Sequence, residues 1–211
     1  MRQYNDMLAP LSRPWVQQPV IAGARARLFC FHHAGGHPGI FASWQEYLGT
    51  EIEVLPVWLP GSGGRLDEPL ITPLSALVAA AEVGLRPYFD RPFCFFGHSM
   101  GALLAYELTL RLAGQHVSPL LLCVSGREAP CEDPITCDAP PLALPIIALG
   151  GTRDVSVPHA AVGAWSTHTN ARFTCHLLPG DHSFYRAHAR RICQTIADTL
   201  RACELKSLVS S

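Results

Sequence analysis

The stretch Phe93-Cys94-Phe95-Phe96-Gly97-His98-Ser99-Met100-Gly101, continuing as Ala102-Leu103-Leu104-Ala105-Tyr106, joins an apolar strand to a helix through a G-x-S-x-G turn. A serine at such a junction is held in a strained backbone conformation, so small residues must flank it. Its hydroxyl then stands clear of the sheet, and the N-terminus of the next helix aims its amides at negative charge developing there. Ser99 is therefore the candidate nucleophile, and the backbone amide of Met100 a candidate oxyanion donor.

Outward from this turn, short apolar runs alternate with helix-like segments. Strands are expected at 27–31, 53–58, 93–96, 120–125, 144–149 and 172–177, several of them nearly continuously apolar, as in strands covered on both faces. Helices are expected at 40–48, 74–89, 100–113, 160–169 and 184–204. In the last of these Ile192, Ile196, Leu200 and Cys203 recur at helical spacing, while Arg190, Arg191, Asp198 and Arg201 can face water. The alternation implies the α/β class, with a mostly parallel sheet flanked by helices. A single domain over 1–211 is expected, with an irregular segment at 1–24 packing along the surface. The connection 126–145 carries Pro130, Pro134, Pro140, Pro141 and Pro145, too many for a long helix, and reads as a loop.

Composition narrows the function classes. With 48% apolar and 16% charged residues in a chain of 211, a globular protein with a sizeable core is expected. A formal net charge of -1 argues against nucleic-acid binding. The N-terminus lacks the apolar core of a secretory signal, and no apolar run reaches the length of a membrane span, so a cytoplasmic protein is expected. Of eight cysteines, Cys30, Cys94, Cys123 and Cys175 lie in strand-like apolar runs and read as small buried hydrophobes. Cys131 and Cys137 lack neighbouring ligand pairs, so neither a metal nor a disulfide framework is expected.

A serine hydroxyl needs a neighbouring base. Ten histidines compete, and His182 stands in the loop between the last strand and the last helix, at the sheet edge that also carries Ser99. The orienting acid should lie between nucleophile and base in the chain. Asp154 fits, because it follows the strand at 144–149 through Gly150-Gly151-Thr152-Arg153. Asp133 and Asp138 in the Pro-rich connection are alternatives, and Asp181 adjoins His182 too closely for easy side-chain geometry. The second oxyanion donor is expected from the loop Phe31-His32-His33-Ala34-Gly35-Gly36, with the amide of Ala34 favoured. His32, His33 and His37 have no carboxylate or cysteine at ligand spacing and read as structural or pocket-lining residues. His98, His116, His159, His168, His176 and His188 read as ordinary polar positions.

Several stretches taken together resemble the type II thioesterases of polyketide and nonribosomal peptide assembly lines. They are Leu28 to Gly36, Leu59-Pro60-Gly61-Ser62-Gly63-Gly64-Arg65-Leu66-Asp67-Glu68-Pro69, and Gly97-His98-Ser99-Met100-Gly101-Ala102. To these are added Ala148 to Asp154, Ala164-Trp165-Ser166-Thr167-His168-Thr169, and Leu178-Pro179-Gly180-Asp181-His182-Ser183-Phe184. The resemblance runs from about Trp15 to the last helix. It implies an α/β-hydrolase fold, hydrolysis of acyl groups from the phosphopantetheine arm of an acyl or peptidyl carrier protein, and no cofactor of the enzyme's own. It places catalysis on Ser99, Asp154 and His182, and the oxyanion amides on Ala34 and Met100.

The chain departs from the family at His32, Ser62 and Asp181, where Pro, Arg and Gly are usual. The family also normally inserts a helical lid where this chain has only 126–145, and the interval from Ser99 to Asp154 is correspondingly short. An uncovered site implies a shallow apolar groove over Ser99, bordered by His32, His33, His37 and the 126–145 loop. The same site would also serve an acyltransferase or cyclase if the acyl group passed to an acceptor other than water. A catalytically silent carrier-protein binder is a further alternative, disfavoured by the full set of catalytic residue types.

Overall fold

A computed structural model describes residues 13–18, 21–130 and 139–209, with side chains as far as residue 203. Six strands form one parallel sheet: β1 (Ala26–Phe31), β2 (Ile52–Pro56), β3 (Phe93–His98), β4 (Leu122–Ser125), β5 (Ile146–Gly151) and β6 (Phe173–Leu178), in the spatial order β2-β1-β3-β4-β5-β6. The helices are α1 (Trp44–Leu48), α2 (Leu74–Leu85), α3 (Met100–Ala113), α4 (His159–Gly163), α5 (Phe184–Ala187) and α6 (Ala189–Val209). Every expected strand is present within two residues of its expected start. The expected helices persist with interruptions. The segment 74–89 turns 3-10 over Arg86–Tyr88, where Pro87 cannot continue the α-helical ladder, and 184–204 breaks at His188.

The period of two along the central strands sorts their side chains into two cores. Phe29, Phe31, Phe93 and Phe95 face α2 and α3, and Leu28, Cys30, Cys94 and Phe96 face α1 and α6. Edge-to-face pairs Phe29–Phe95 and Phe31–Phe95, at 5.7 and 5.5 Å, fill the first layer. Ile192, Ile196 and Leu200 close the second from α6. Two expectations are corrected. Of the segment 1–24, expected to pack along the surface, residues 1–12, 19 and 20 lie outside the described residues, while Trp15 and Val16 are buried in the first core and Trp15 fills the gap left by the absent side chain of Gly84. Cys175 is exposed rather than buried, since β6 is an edge strand with one solvated face.

The chain leaves β1 towards α1 on one face and leaves β3 towards α3 on the other, so the strand order reverses between β1 and β3. Crevices for ligands form at the carboxyl ends of strands flanking such a reversal. The connection from β4 to β5 contains no helix among its described residues, and 131–138 lie outside them. No helix of the described residues is long and apolar enough to cross a membrane.

Candidate active site

Ser99 has φ 56 and ψ −117, a conformation that costs a non-glycine residue about 1–3 kcal/mol and survives only when its surroundings enforce it. They do so by close packing. A Cβ on Gly97 would sit 2.1 Å from the Gly101 carbonyl oxygen, and one on Gly101 would sit 2.3 Å from that of Phe31. The elbow is further tied by Ser99 N–H donating to the Ser125 carbonyl at 2.8 Å. β1, β3 and β4 thus meet at the serine, which caps the 14-residue α3 and remains partly exposed.

The loops after β5 and β6 are stitched together by Thr152 N–H to Leu178 O and Arg153 N–H to Gly180 O, both at 2.8 Å. Gly151 permits this approach, since a Cβ there would meet the Asp181 carbonyl oxygen at 2.6 Å. The result is a 2.7 Å hydrogen bond from His182 Nδ1 to Asp154 Oδ2, while Asp154 Oδ1 accepts the Ser156 amide at 2.9 Å. The Asp181 carboxylate instead accepts the Ser183 amide at 2.8 Å. Asp133 and Asp138 lie outside the described residues.

His182 and the Ser99 elbow converge on the end of β4. A Cβ on Gly126 would lie 3.3 Å from His182 Cε1, one residue beyond the carbonyl that holds Ser99. Among the described residues no hydrogen bond joins Ser99 to His182, and such pairs are commonly loose before substrate binds.

Sequence reasoning passed over His98, between Gly97 and Ser99 in the elbow. Its ring lies 4.9 Å from that of His182 and 4.1 Å from that of Tyr185, with Nδ1 3.0 Å from Ser125 Oγ. Burial, reinforced by neighbouring His182 and His33, pushes its pKa down to about 3, so it stands neutral beside the His182 ring. Tyr185 and Arg186 also reach the site. Their only signal in the sequence is their place just after the His182 loop.

On the other flank of Ser99 lies a cavity of about 470 Å³ at the mouths of the β1 and β2 loops. Ala34 and Met100 both line it, as do His32 and His37. His33 does not. It points across the elbow, where its ring is 6.0 Å from that of His98 and burial lowers its pKa. The opposite wall is the 59–71 segment and Leu77; of the 126–145 loop expected to border the groove, no described residue lines the cavity, and 131–138 lie outside the described residues. His32 is buried, and its Nε2 lies 3.1 Å from Ser62 Oγ, so two of the positions that depart from the family pattern touch one another. No group of three or more His, Cys, Asp or Glu among the described residues is arranged to hold a metal.

A parallel sheet with a serine at a strained strand-to-helix elbow, and an imidazole held by a buried carboxylate beside it, defines a hydrolase of the α/β-hydrolase fold. The Thioesterase domain family matches residues 26–136. The chain is 32% identical to "Linear gramicidin dehydrogenase LgrE" of Brevibacillus parabrevis, over 89% of this chain and 93% of that one. It is 28% identical to "Gramicidin S biosynthesis protein GrsT" of Aneurinibacillus migulanus, over 84% and 90%. In three dimensions it resembles the type II thioesterase BorB from the borrelidin biosynthetic cluster, with a TM-score of 0.80 and 28% identity over 88% of this chain and 97% of that one. The chain belongs to the thioesterase family. The alignment with the Brevibacillus protein needs 244 positions to take in 89% of these 211 residues, so that relative carries several dozen positions without a counterpart here.

Proposed function

We propose that the protein hydrolyses acyl thioesters held on the phosphopantetheine arm of a carrier protein, with Ser99 as nucleophile, His182 as base and Asp154 as its orienter. The observation that carries this reading is the 2.7 Å bond from His182 Nδ1 to the buried Asp154, beside a serine in an elbow conformation. That bond leaves Nε2 of the neutral imidazole as the proton acceptor. Ser99 Oγ attacks the thioester carbonyl carbon and its proton passes to Nε2. The tetrahedral oxyanion accepts hydrogen bonds from the amides of Ala34 and Met100. Collapse breaks the C–S bond, and the departing pantetheine sulfur takes the proton from His182. Water then attacks the acyl-serine ester, with His182 again as base, releasing the free acid and regenerating Ser99.

The chemistry asks for no cofactor of the enzyme's own, because the pantetheine arm arrives with the substrate. An acyl or peptidyl carrier protein is the partner this requires. Among the described residues Cys30, Cys94, Cys123, Cys175 and Cys193 are free thiols, which suits the reducing cytoplasm. The first relative's name is that of a dehydrogenase, but the glycines after β3 here frame a serine elbow and do not follow the G-x-G-x-x-G spacing of a dinucleotide loop.

The test presents acyl-loaded carrier protein and matching acyl-pantetheine thioesters to the native protein and to Ser99→Ala, with products read by mass spectrometry. Free acid from the native protein and none from Ser99→Ala is expected. A stable acyl adduct on Ser99 with little free acid would replace hydrolysis by transfer to another acceptor. Turnover that survives Ser99→Ala would end the proposal.

A further inference from the structure

The peptide that carries the proposed oxyanion donor is held by a residue that touches no reacting atom. We infer that His32 is a positioning residue: its Nδ1–H donates to the His33 carbonyl oxygen and so aims the N–H of the same peptide unit, that of Ala34, at the oxyanion. The inference rests on the thioesterase reading. A peptide unit is planar and trans, so the His33 carbonyl and the Ala34 N–H point in opposite directions and turn together. Whatever grips the oxygen aims the proton.

Gly36 N–H donates to that oxygen at 2.9 Å, closing a tight turn in which Gly35 takes φ +70. His32 Nδ1 lies 2.8 Å from the same oxygen. The fit is close, since a Cβ on Gly36 would sit 2.8 Å from the His33 carbonyl oxygen and 3.0 Å from His32 Nδ1. The Ala34 N–H, in contrast, makes no hydrogen bond among the described residues, and Ala34 lines the cavity together with Met100. The loop is also pressed onto the elbow, because a Cβ on Gly101 would meet the His32 carbonyl oxygen at 2.7 Å.

That Nδ1 carries the proton follows from its neighbours. His32 is 2% exposed and burial lowers its pKa, so at pH 7 the ring is neutral and holds one N–H. Nδ1 faces the His33 carbonyl, which can only accept. Nε2 faces Ser62 Oγ at 3.1 Å, and a hydroxyl both donates and accepts. A proton on Nδ1 therefore still leaves Nε2 a donor within reach, although the Leu59 carbonyl, 2.8 Å from Oγ, competes for it. A proton on Nε2 would set two lone pairs against each other at 2.8 Å. The far end of the contact is fixed as well. Ser62 is buried in the loop after β2, which Arg65 anchors by donating to the Trp58 carbonyl at 2.7 Å and to both carboxylate oxygens of Glu68. A proton donated to a carbonyl oxygen also polarises its amide and strengthens the N–H as a donor.

Nitrogen-15 NMR of the native imidazoles at pH 7, with His32 assigned by the signals lost in His32→Asn, should show Nδ1 protonated and Nε2 bare. In parallel, kcat and KM for acetyl-pantetheine are measured on the native protein, His32→Asn and His32→Gln. Inhibition by the trifluoromethyl ketone analogue of that thioester is measured on the same three proteins, since attack by Ser99 on its carbonyl carbon gives a stable tetrahedral oxyanion. The side-chain amide nitrogen of Asn overlays Nδ1 and keeps a donor for the His33 carbonyl, whereas that of Gln overlays Nε2 and keeps only the Ser62 contact. We expect His32→Gln to lower kcat about 10- to 100-fold, part of the loss caused by deleting an oxyanion donor, with KM within about twofold of native. The inhibition constant of the ketone should rise by a matching factor. His32→Asn should stay within about fivefold of native in both measurements. A proton on Nε2, equal losses in the two variants, or a loss confined to KM overturns the positioning role and leaves the thioesterase reading intact. If no thioester is cleaved but the ketone binds, and His32→Gln weakens it while His32→Asn does not, the positioning role stands and the reaction assignment fails. Absence of both turnover and ketone binding overturns both.

Discussion

Nδ1 of His182 donates a 2.7 Å hydrogen bond to Oδ2 of Asp154 and so fastens an imidazole that is 36% exposed to a carboxylate that is 1% exposed. The carboxylate is itself fixed by the Ser156 amide, so neither partner is free to reorient. An imidazole anchored in this way keeps one tautomer and one ring orientation, which is what a base facing a serine requires.

Replacing Asp154 with Asn tests this directly. The amide fits the same space, but its NH2 can donate to Nδ1 and so favours the tautomer that carries the proton on Nε2. Turnover of an acyl thioester should fall about 1,000- to 10,000-fold. The melting temperature should stay within a few degrees, because one buried hydrogen bond is exchanged for another of similar shape. A loss below about tenfold would remove Asp154 from the proposed machinery.

Two glycine substitutions should separate close packing from mere flexibility. Gly101→Ala forces a Cβ to within 2.3 Å of the Phe31 carbonyl oxygen, an atom of the central sheet that cannot step aside. It should destabilise the fold by about 2–4 kcal/mol and disturb the elbow. Gly163→Ala, at the end of α4, meets nothing within 4 Å. It should stabilise by about 0.4–1 kcal/mol through the entropy of the unfolded chain. Urea unfolding of both variants checks the contrast, and equal effects would refute it.

These glycines show which parts of the structure the sequence makes legible. G-x-S-x-G, Gly150-Gly151 and Pro179-Gly180 each mark a place where backbones must pass closely, so the loops that carry Ser99, Asp154 and His182 can be found from local patterns. Strand identity is legible for a similar reason, since fully buried parallel strands are continuous apolar runs. Long-range contact is not. That His32 faces the cavity while His33 crosses to His98 depends on how the β1 loop turns over α3. That Trp15 enters the core depends on a gap at Gly84, far along the chain. The exposure of Cys175 is not legible either, because an apolar run does not reveal which strand will lie at the sheet edge. The motif at 59–69 is legible as a stretch of family resemblance, but its place in the cavity wall is not, because its leucines are scattered among Gly, Pro and charged residues.

Acidification should unfold the protein in a particular window. An imidazole whose pKa is lower when folded leaves the unfolded state binding the proton first, so its contribution to stability is complete above about pH 6.5 and declines below it. His98, pushed down to about 3, keeps this slope over the whole range from about 6.5 to about 3, and the lowered pKa values of His32 and His33 act in the same direction. From pH 7 to pH 5 His98 alone should cost about 2 kcal/mol. Glu82 acts in the same sense over a lower range. Burial pushes it up, but Arg111 and Arg86 hold it at about 2, and its contribution is lost only below about pH 4.5. Unfolding by urea at pH 7 and pH 5 should therefore show a loss that His98→Gln substantially reduces. An unchanged pH difference in that variant would show that His98 is not the group being titrated.

His32 and Ser62 should prove energetically coupled, though weakly. Their contact lies in a chain that runs from the His33 carbonyl oxygen through Nδ1 and Nε2 of His32 to Ser62 Oγ and on to the Leu59 carbonyl oxygen. Both ends are acceptors, so three contacts call for three protons. A neutral imidazole and a hydroxyl hold only two, and burial disfavours the charged ring that would bring the third. One contact is therefore always unfilled at neutral pH, which holds the pair to the net worth of a single ordinary hydrogen bond, about 1 kcal/mol. Ser62→Ala and His32→Ala each leave the partner's polar atom at the cavity wall without its neighbour. The double variant should then be less destabilised than the sum of the single ones by about 1 kcal/mol in urea unfolding at pH 7. Strict additivity would mean that the 3.1 Å contact contributes nothing to the fold.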